Sequence, residues 1–172
     1  MSLSVEQATE LFDYLRWADR MMLAAASGLS AEEYYKARGV SLGSIHNLMV
    51  HLMAAERLWL ERWRGSSPRR VENQDDHPTR EALEARWPQV HAELLEFVGR
   101  QNAESLAKPV AFKSTTGEAS TIPLGQLMIH VVDHGSYHRG QLNSMIKQAG
   151  GQPAPAFYVT YQRQRHKQPA AG

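Results

Sequence analysis

The sequence contains no cysteine. Disulfides, thiolate–metal sites and cysteine nucleophiles are excluded together, so any transition metal must be held by histidine, carboxylate or water. A surplus of one charge is also missing. The 19 Lys and Arg stand against 18 Asp and Glu, giving a formal net charge of +1. That balance offers no electrostatic case for binding nucleic acid or an anionic membrane surface. No apolar run approaches the ~20 residues needed to span a bilayer. The opening MSLSVEQATELFDYL has no basic segment followed by an apolar stretch, so no signal peptide is expected and a cytoplasmic location is. Repeats, low-complexity segments, Gly-rich phosphate loops and a Gly-x-Ser-x-Gly elbow are absent as well.

What is present is amphipathic helix. At 172 residues one domain spanning 1–172 is expected, with a core over about 4–150, a packing tail over 151–165 and mobile residues 166–172. Ser4 can cap a first helix to about Ala26, whose Ala8, Leu11, Phe12, Leu15, Ala18 and Met22 follow the 3.6-residue period. Asp13, Arg16, Asp19 and Arg20 are expected on its solvated face. A short helical turn follows Ser30. A second helix begins at Ser41 or Ser44 and runs to Arg64, with Ile45, Leu48, Leu52, Ala55, Trp59 and Trp63 as its apolar stripe. His46 is turned away from that stripe, towards solvent or the helix start. The segment from Ser66 to Thr79 reads as a polar loop.

A third helix is expected from Thr79 to about Glu104, with Pro88 imposing a kink or a late start. Val110–Lys113 and Ala119–Ile122 flank a Thr-Thr-Gly-Glu turn and predict a small hairpin. Pro123 opens the last long helix and Gly150-Gly151 close it. The tail is read as turn-rich, with Phe157, Tyr158 and Tyr161 covering one end of the domain. Four long helices and one hairpin define an all-α four-helix bundle.

The last long helix carries His130, His134 and His138 at steps of four. Residues four apart share a helix face. With ~100° per residue, the three histidines fall within ~40° of one another's line, on the same side as Leu127, Gln141 and Met145. Buried imidazoles need partners for their ring nitrogens, and a metal ion supplies one. Two histidines from one helix do not complete a site. His51, at the inner edge of the second helix, is the best source of a third ligand, with Asn47 one turn before it as a candidate hydrogen-bonding neighbour. A hydrogen-bonded core stripe is the plainer reading of the same histidines.

Competing chemistries fail on spacing. No histidine has Glu three positions before it, as di-iron bundles require. Val131 and Gly135 stand where a His-Glu-x-x-His protease needs Glu. What remains is one divalent ion on His51, His134 and His138, with His130 as second shell or pocket wall. If His130 replaced His138 as ligand, the site would sit one turn nearer the start of the helix. Zinc leads, with nickel, iron and manganese open, because imidazole selects weakly among them. Three protein ligands leave coordination positions for water or substrate. No general base stands out, and Glu56 and Asp133 read as surface charges. Loss of metal is expected as pH falls towards ~5, where histidine ligands protonate.

At these residues the sequence resembles the DinB family of YfiT-like bundles. The likeness lies in Gly43-Ser44-Ile45 leading into His51, the stretch Glu56–Arg62, and His130-x-x-x-His134-x-x-x-His138-Arg139-Gly140-Gln141. The resemblance implies an up-down-down-up helix order, homodimers, and a zinc or nickel ion on His51, His134 and His138. It also implies a small-molecule substrate, a low-molecular-weight thiol among the candidates. Metal-dependent thiol S-transfer or hydrolysis is the expected reaction class, and a non-catalytic metal-binding stress protein the alternative.

Overall fold

The computed structural model describes residues 3–39 and 42–167. Its elements follow in the order α1 (Val5–Ser27), α2 (Ala31–Tyr35), α3 (Ile45–Trp63), α4 (Arg80–Gly99), α5 (Ala103–Ala107), β1 (Pro109–Lys113), β2 (Ala119–Pro123), α6 (Leu124–Gln148) and α7 (Tyr158–Arg165). Three of the four long helices begin where side chains satisfy their free N–H groups, while α6 begins after Pro123 with no side-chain cap. Ser4 forms a capping box with Gln7, Ser44 accepts from the Asn47 N–H, and Thr79 accepts from the Ala82 N–H. α3 and α6 end at Gly65 and Gly150, whose φ values of 91° and 80° favour glycine.

Residue pairings fix the direction of each helix. Gly125 and Gly135 of α6 approach Leu3 and Leu15 at the start and middle of α1, so these two helices run the same way. Glu56 meets Trp87 and Arg64 meets Glu93, which makes α3 and α4 parallel to each other. Asp19 pairs with His91, while Arg80 donates to the Ser27 carbonyl, so α1 and α4 are antiparallel. The order is up-down-down-up, and the loop across residues 66–79 allows the parallel α3–α4 step. Between the helices lies one apolar core, in which Phe12 packs edge to face on Trp63 at 5.8 Å.

Gly135 has a packing reason. A Cβ there would lie 2.7 Å from the Arg139 guanidinium and 3.1 Å from the Leu15 side chain. The guanidinium is fixed by Asp19, so it cannot simply swing aside. Gly135→Ala therefore loses more by overpacking than the ~1 kcal/mol it gains in helix propensity, for a net destabilisation of about 1–2 kcal/mol. Chemical denaturation reads this directly as a lower midpoint.

The hairpin forms as expected, with Val110 opposite Ile122 and Phe112 opposite Ser120. Arg62, buried near the end of α3, donates to the Lys113 carbonyl and lies 4.6 Å from the Trp59 ring centre, tying the hairpin to the bundle.

Several expectations are corrected. The third long helix stops at Gly99 and not near Glu104, because Asn102 caps a separate turn, α5. Pro88 does not delay α4, which begins at Arg80. The carbonyl that Pro88 leaves without its helical donor belongs to Glu84, an exposed residue, where water can serve it. The tail contains a two-turn helix, α7, whose Tyr161 is buried against Tyr14 and Trp17, whereas Phe157 is 66% exposed. Of the segment expected to be mobile, His166 closes α7, and residues 168–172 lie outside the described residues.

Asp19 and Glu56, expected at the surface, are buried, and so is His46, expected in solvent or near the helix start. His46 does sit at the helix start, but between the Tyr34 hydroxyl (3.3 Å) and the His77 carbonyl (2.8 Å). Each has a buried partner distant in sequence, so a single helix's periodicity does not reveal it.

Candidate metal centre

α6 is straight enough in register to present His134 and His138 on one side, one turn apart. α3 runs antiparallel beside it and delivers His51 to the same point. The ring centres of His51 lie 5.3 Å from His134 and 4.7 Å from His138, and those of His134 and His138 are 4.4 Å apart. One ring nitrogen from each falls within 4.8 Å of the other two. A tetrahedral ion with bonds of ~2.0–2.1 Å needs nitrogens ~3.4 Å apart. The donors fit a borderline divalent cation: three imidazoles, no thiolate, all half-buried.

The electrostatics favour the ligand form. Burial, followed by the neighbouring His138, His51, His130 and Arg139, pushes the His134 pKa down to about 4. Burial and then His138 lower that of His51. Both rings are therefore neutral, with a lone pair to offer, at pH 7. His138 Nδ1–H donates to Gln141 Oε1 at 2.8 Å, which leaves Nε2 as the metal-facing nitrogen. The Gln141 contact was not anticipated, although a His with Gln three residues later on one helix is a spacing that permits it.

Of the other two residues singled out from sequence, His130 sits beside the triad, whereas Asn47, expected as a hydrogen-bonding neighbour of His51, has its amide engaged at the start of α3 instead. His130 is exposed, its ring 6.0 Å from His134 and 5.0 Å from Trp59, which in turn packs on Phe112 at 5.1 Å. It extends an aromatic wall one turn from the triad. Asn47 donates its side-chain amide to the Leu42 carbonyl and so braces the entry to α3.

Acidification should release the metal. Protons compete with the ion for the ring nitrogens. A His134 that protonates only near pH 4 competes weakly. The expected result is full metal content after dialysis at neutral pH and loss as pH falls towards ~5, set by whichever ligand ring protonates first, measured by elemental analysis.

A second group among the described residues also has metal-ligand geometry: Asp19, Glu56 and His91, all buried. Its partners are already in place. Arg139 Nη1 donates to Asp19 Oδ1 at 3.0 Å, His91 Nε2 lies 3.2 Å from Asp19 Oδ2 and 3.4 Å from Glu56 Oε2, and Trp87 Nε1 donates to Glu56 Oε2 at 2.9 Å. A guanidinium on the same carboxylate opposes a further cation, so this group is a buried ionic network and not a metal site.

The network makes stability fall as pH rises. Although burial opposes it, the carboxylates of Asp19 and Glu56 raise His91 to about 9. Burial and then Asp19 raise Glu56 to about 7. Both groups hold protons more tightly folded than unfolded. The His91 contribution is complete below its unfolded value of 6.5 and is lost as pH climbs through about 9. Thermal melts are expected to show a lower midpoint at pH 9.5 than at pH 7.

Fold and site together define a four-helix bundle with a three-histidine centre between its second and fourth long helices. The chain belongs to the DinB family, whose profile matches residues 1–170. It is 26% identical over 161 residues to Protein DinB of Bacillus subtilis (strain 168), an alignment covering 90% of this chain and 92% of that protein. The crystal structure of a DinB-like protein from Bacillus cereus ATCC 10987 has the same fold, with a TM-score of 0.67 at 13% identity, covering 91% of this chain and 100% of that one.

Proposed function

We propose that the chain binds one divalent metal, zinc or nickel, through His51, His134 and His138, and that this centre activates a small-molecule thiol for S-transfer or water for hydrolysis. The observation that carries the reading is the convergence of three half-buried ring nitrogens from two helices within 4.8 Å. A divalent ion held there would lower the pKa of a thiol or water bound to it.

The surrounding residues favour the thiol. Glu56 points into the core at Trp87, and Asp133 is exposed on the outside of α6. Neither is arranged as a general base. A thiol, with its ordinary pKa near ~8.5, ionises more readily than water and needs no protein base. In the transfer, a sulfur–carbon bond forms at an electrophilic carbon, the bond to the leaving group breaks with its electron pair, and the thiol proton passes to solvent. His51 and His134 hold the sulfur's site in place, Gln141 orients His138, and His130 with Trp59 supplies a wall for the substrate. The same lack of a base supports the second reading, metal binding without catalysis. A homodimer and a cytoplasmic setting complete the proposal, the former supported by the exposed apolar side chains Ile129 and Tyr158.

Cobalt-substituted protein titrated with glutathione or cysteine tests the thiol assignment. A thiolate-to-metal charge-transfer absorption is expected, absent from His134→Ala. Loaded cobalt protein that gives no such band with either thiol would reject S-transfer.

A further inference from the structure

The face opposite the metal centre holds a feature that the proposed function does not use. α1 and α4 cross with small side chains in register: Ala24 on one helix, Pro88 and Ala92 on the other, all exposed. Their size leaves a groove with a cavity of about 590 Å³ between Leu23 and Leu95. That is within the range of small-molecule sites, which pair an apolar body with few convergent polar groups.

The polar groups here include two cationic donors. Arg16 is held by Asp13 at 3.0 Å, but Arg20 makes no ion pair or hydrogen bond among the described residues. Glu84 is the one acid lining the groove. At its base lies His91, whose Nε2 is committed to Asp19 and Glu56. Its Nδ1 is engaged by no group among the described residues. Two buried carboxylates on Nε2 keep this ring protonated, so Nδ1–H is a charge-assisted donor at the floor of the groove.

We propose that the α1–α4 groove is a binding site for a small monoanionic carboxylate with an apolar body. The carboxylate lies between Arg20 and His91 Nδ1–H, and the body lies between Leu23 and Leu95 over Ala24 and Ala92. Arg20 and Glu84 balance in formal charge, and the His91 imidazolium is already compensated by Asp19 and Glu56, so the groove offers two cationic donors but little net positive charge. This favours a monoanion over a dianionic phosphate. The site is separate from the histidine triad, and its existence does not depend on the metal reading.

The test uses 4-phenylbutyrate and its neutral analogue 4-phenylbutanol, titrated into nitrogen-15-labelled protein and followed by amide chemical shifts. Saturable shifts are expected in residues 16–27 and 84–95, with much weaker effects from the alcohol. Arg20→Ala should weaken phenylbutyrate binding about tenfold, the scale of one hydrogen bond to a charged group. Ala92→Trp, which fills the groove from an exposed helix position, should abolish it without changing the melting temperature. Three outcomes would overturn the proposal: no shifts at millimolar ligand, equal shifts from the alcohol, or carboxylate shifts confined to α3 and α6 around the triad.

Discussion

His134→Ala is expected to reduce bound zinc from about one ion per chain to a small fraction. Removing it leaves His51 and His138 on separate helices, and two imidazoles do not retain zinc through dialysis. His51→Ala should act the same way for a different reason, since it removes the only ligand from α3 and leaves an i, i+4 pair. His130→Ala should keep its metal, because its ring is exposed and packs on Trp59. Gln141→Ala should fall between, weakening zinc about 10–100-fold by freeing the His138 ring. Elemental analysis of the four variants separates these cases. Full metal in His134→Ala would mean that the ion sits elsewhere.

Asp19→Ala is expected to cost about 3–5 kcal/mol, the scale for removing one partner from a buried ion pair. Arg139 is 3% exposed, and Asp19 is the carboxylate that compensates it. Without Asp19 the guanidinium is left beside a protonated His91 in the core. For a chain of this length that loss lowers the melting temperature by roughly 10–15 °C. Asp19→Leu with Arg139→Met should be milder than Asp19→Ala, because it removes both charges and keeps the volume. A shift of under ~1 kcal/mol in Asp19→Ala would show that Asp19 is solvated after all.

Periodicity and end signals carried most of the fold. Ser4, Ser44 and Thr79 each capped the helix that their position announced, and the hairpin formed around the Thr-Thr-Gly-Glu turn. These signals are local, lying within three or four residues of the boundary they set. The triad was legible for a related reason: His134 and His138 share a helix face, and His51 was the inward-facing histidine on another long helix. The buried network was not legible. Asp19 finds His91 72 residues along the chain and Arg139 120 residues along it, and neither distance leaves a trace in a helical wheel. Asp19 sits between Ala18 and Arg20, a context that reads as surface. Glu56 has the same history, since its burial depends on the Trp87 indole and on His91, both on α4. The tail was misread because Pro153 and Pro155 dominate its first half, while α7 follows them.

The measurement that bears most directly on the metal centre is a crystal of zinc-loaded protein with diffraction collected on both sides of the zinc absorption edge. The expected result is one anomalous peak per chain, ~2.0–2.1 Å from a ring nitrogen of each of His51, His134 and His138. A peak among Asp19, Glu56 and His91, or a loaded crystal with no peak at the triad, would contradict it.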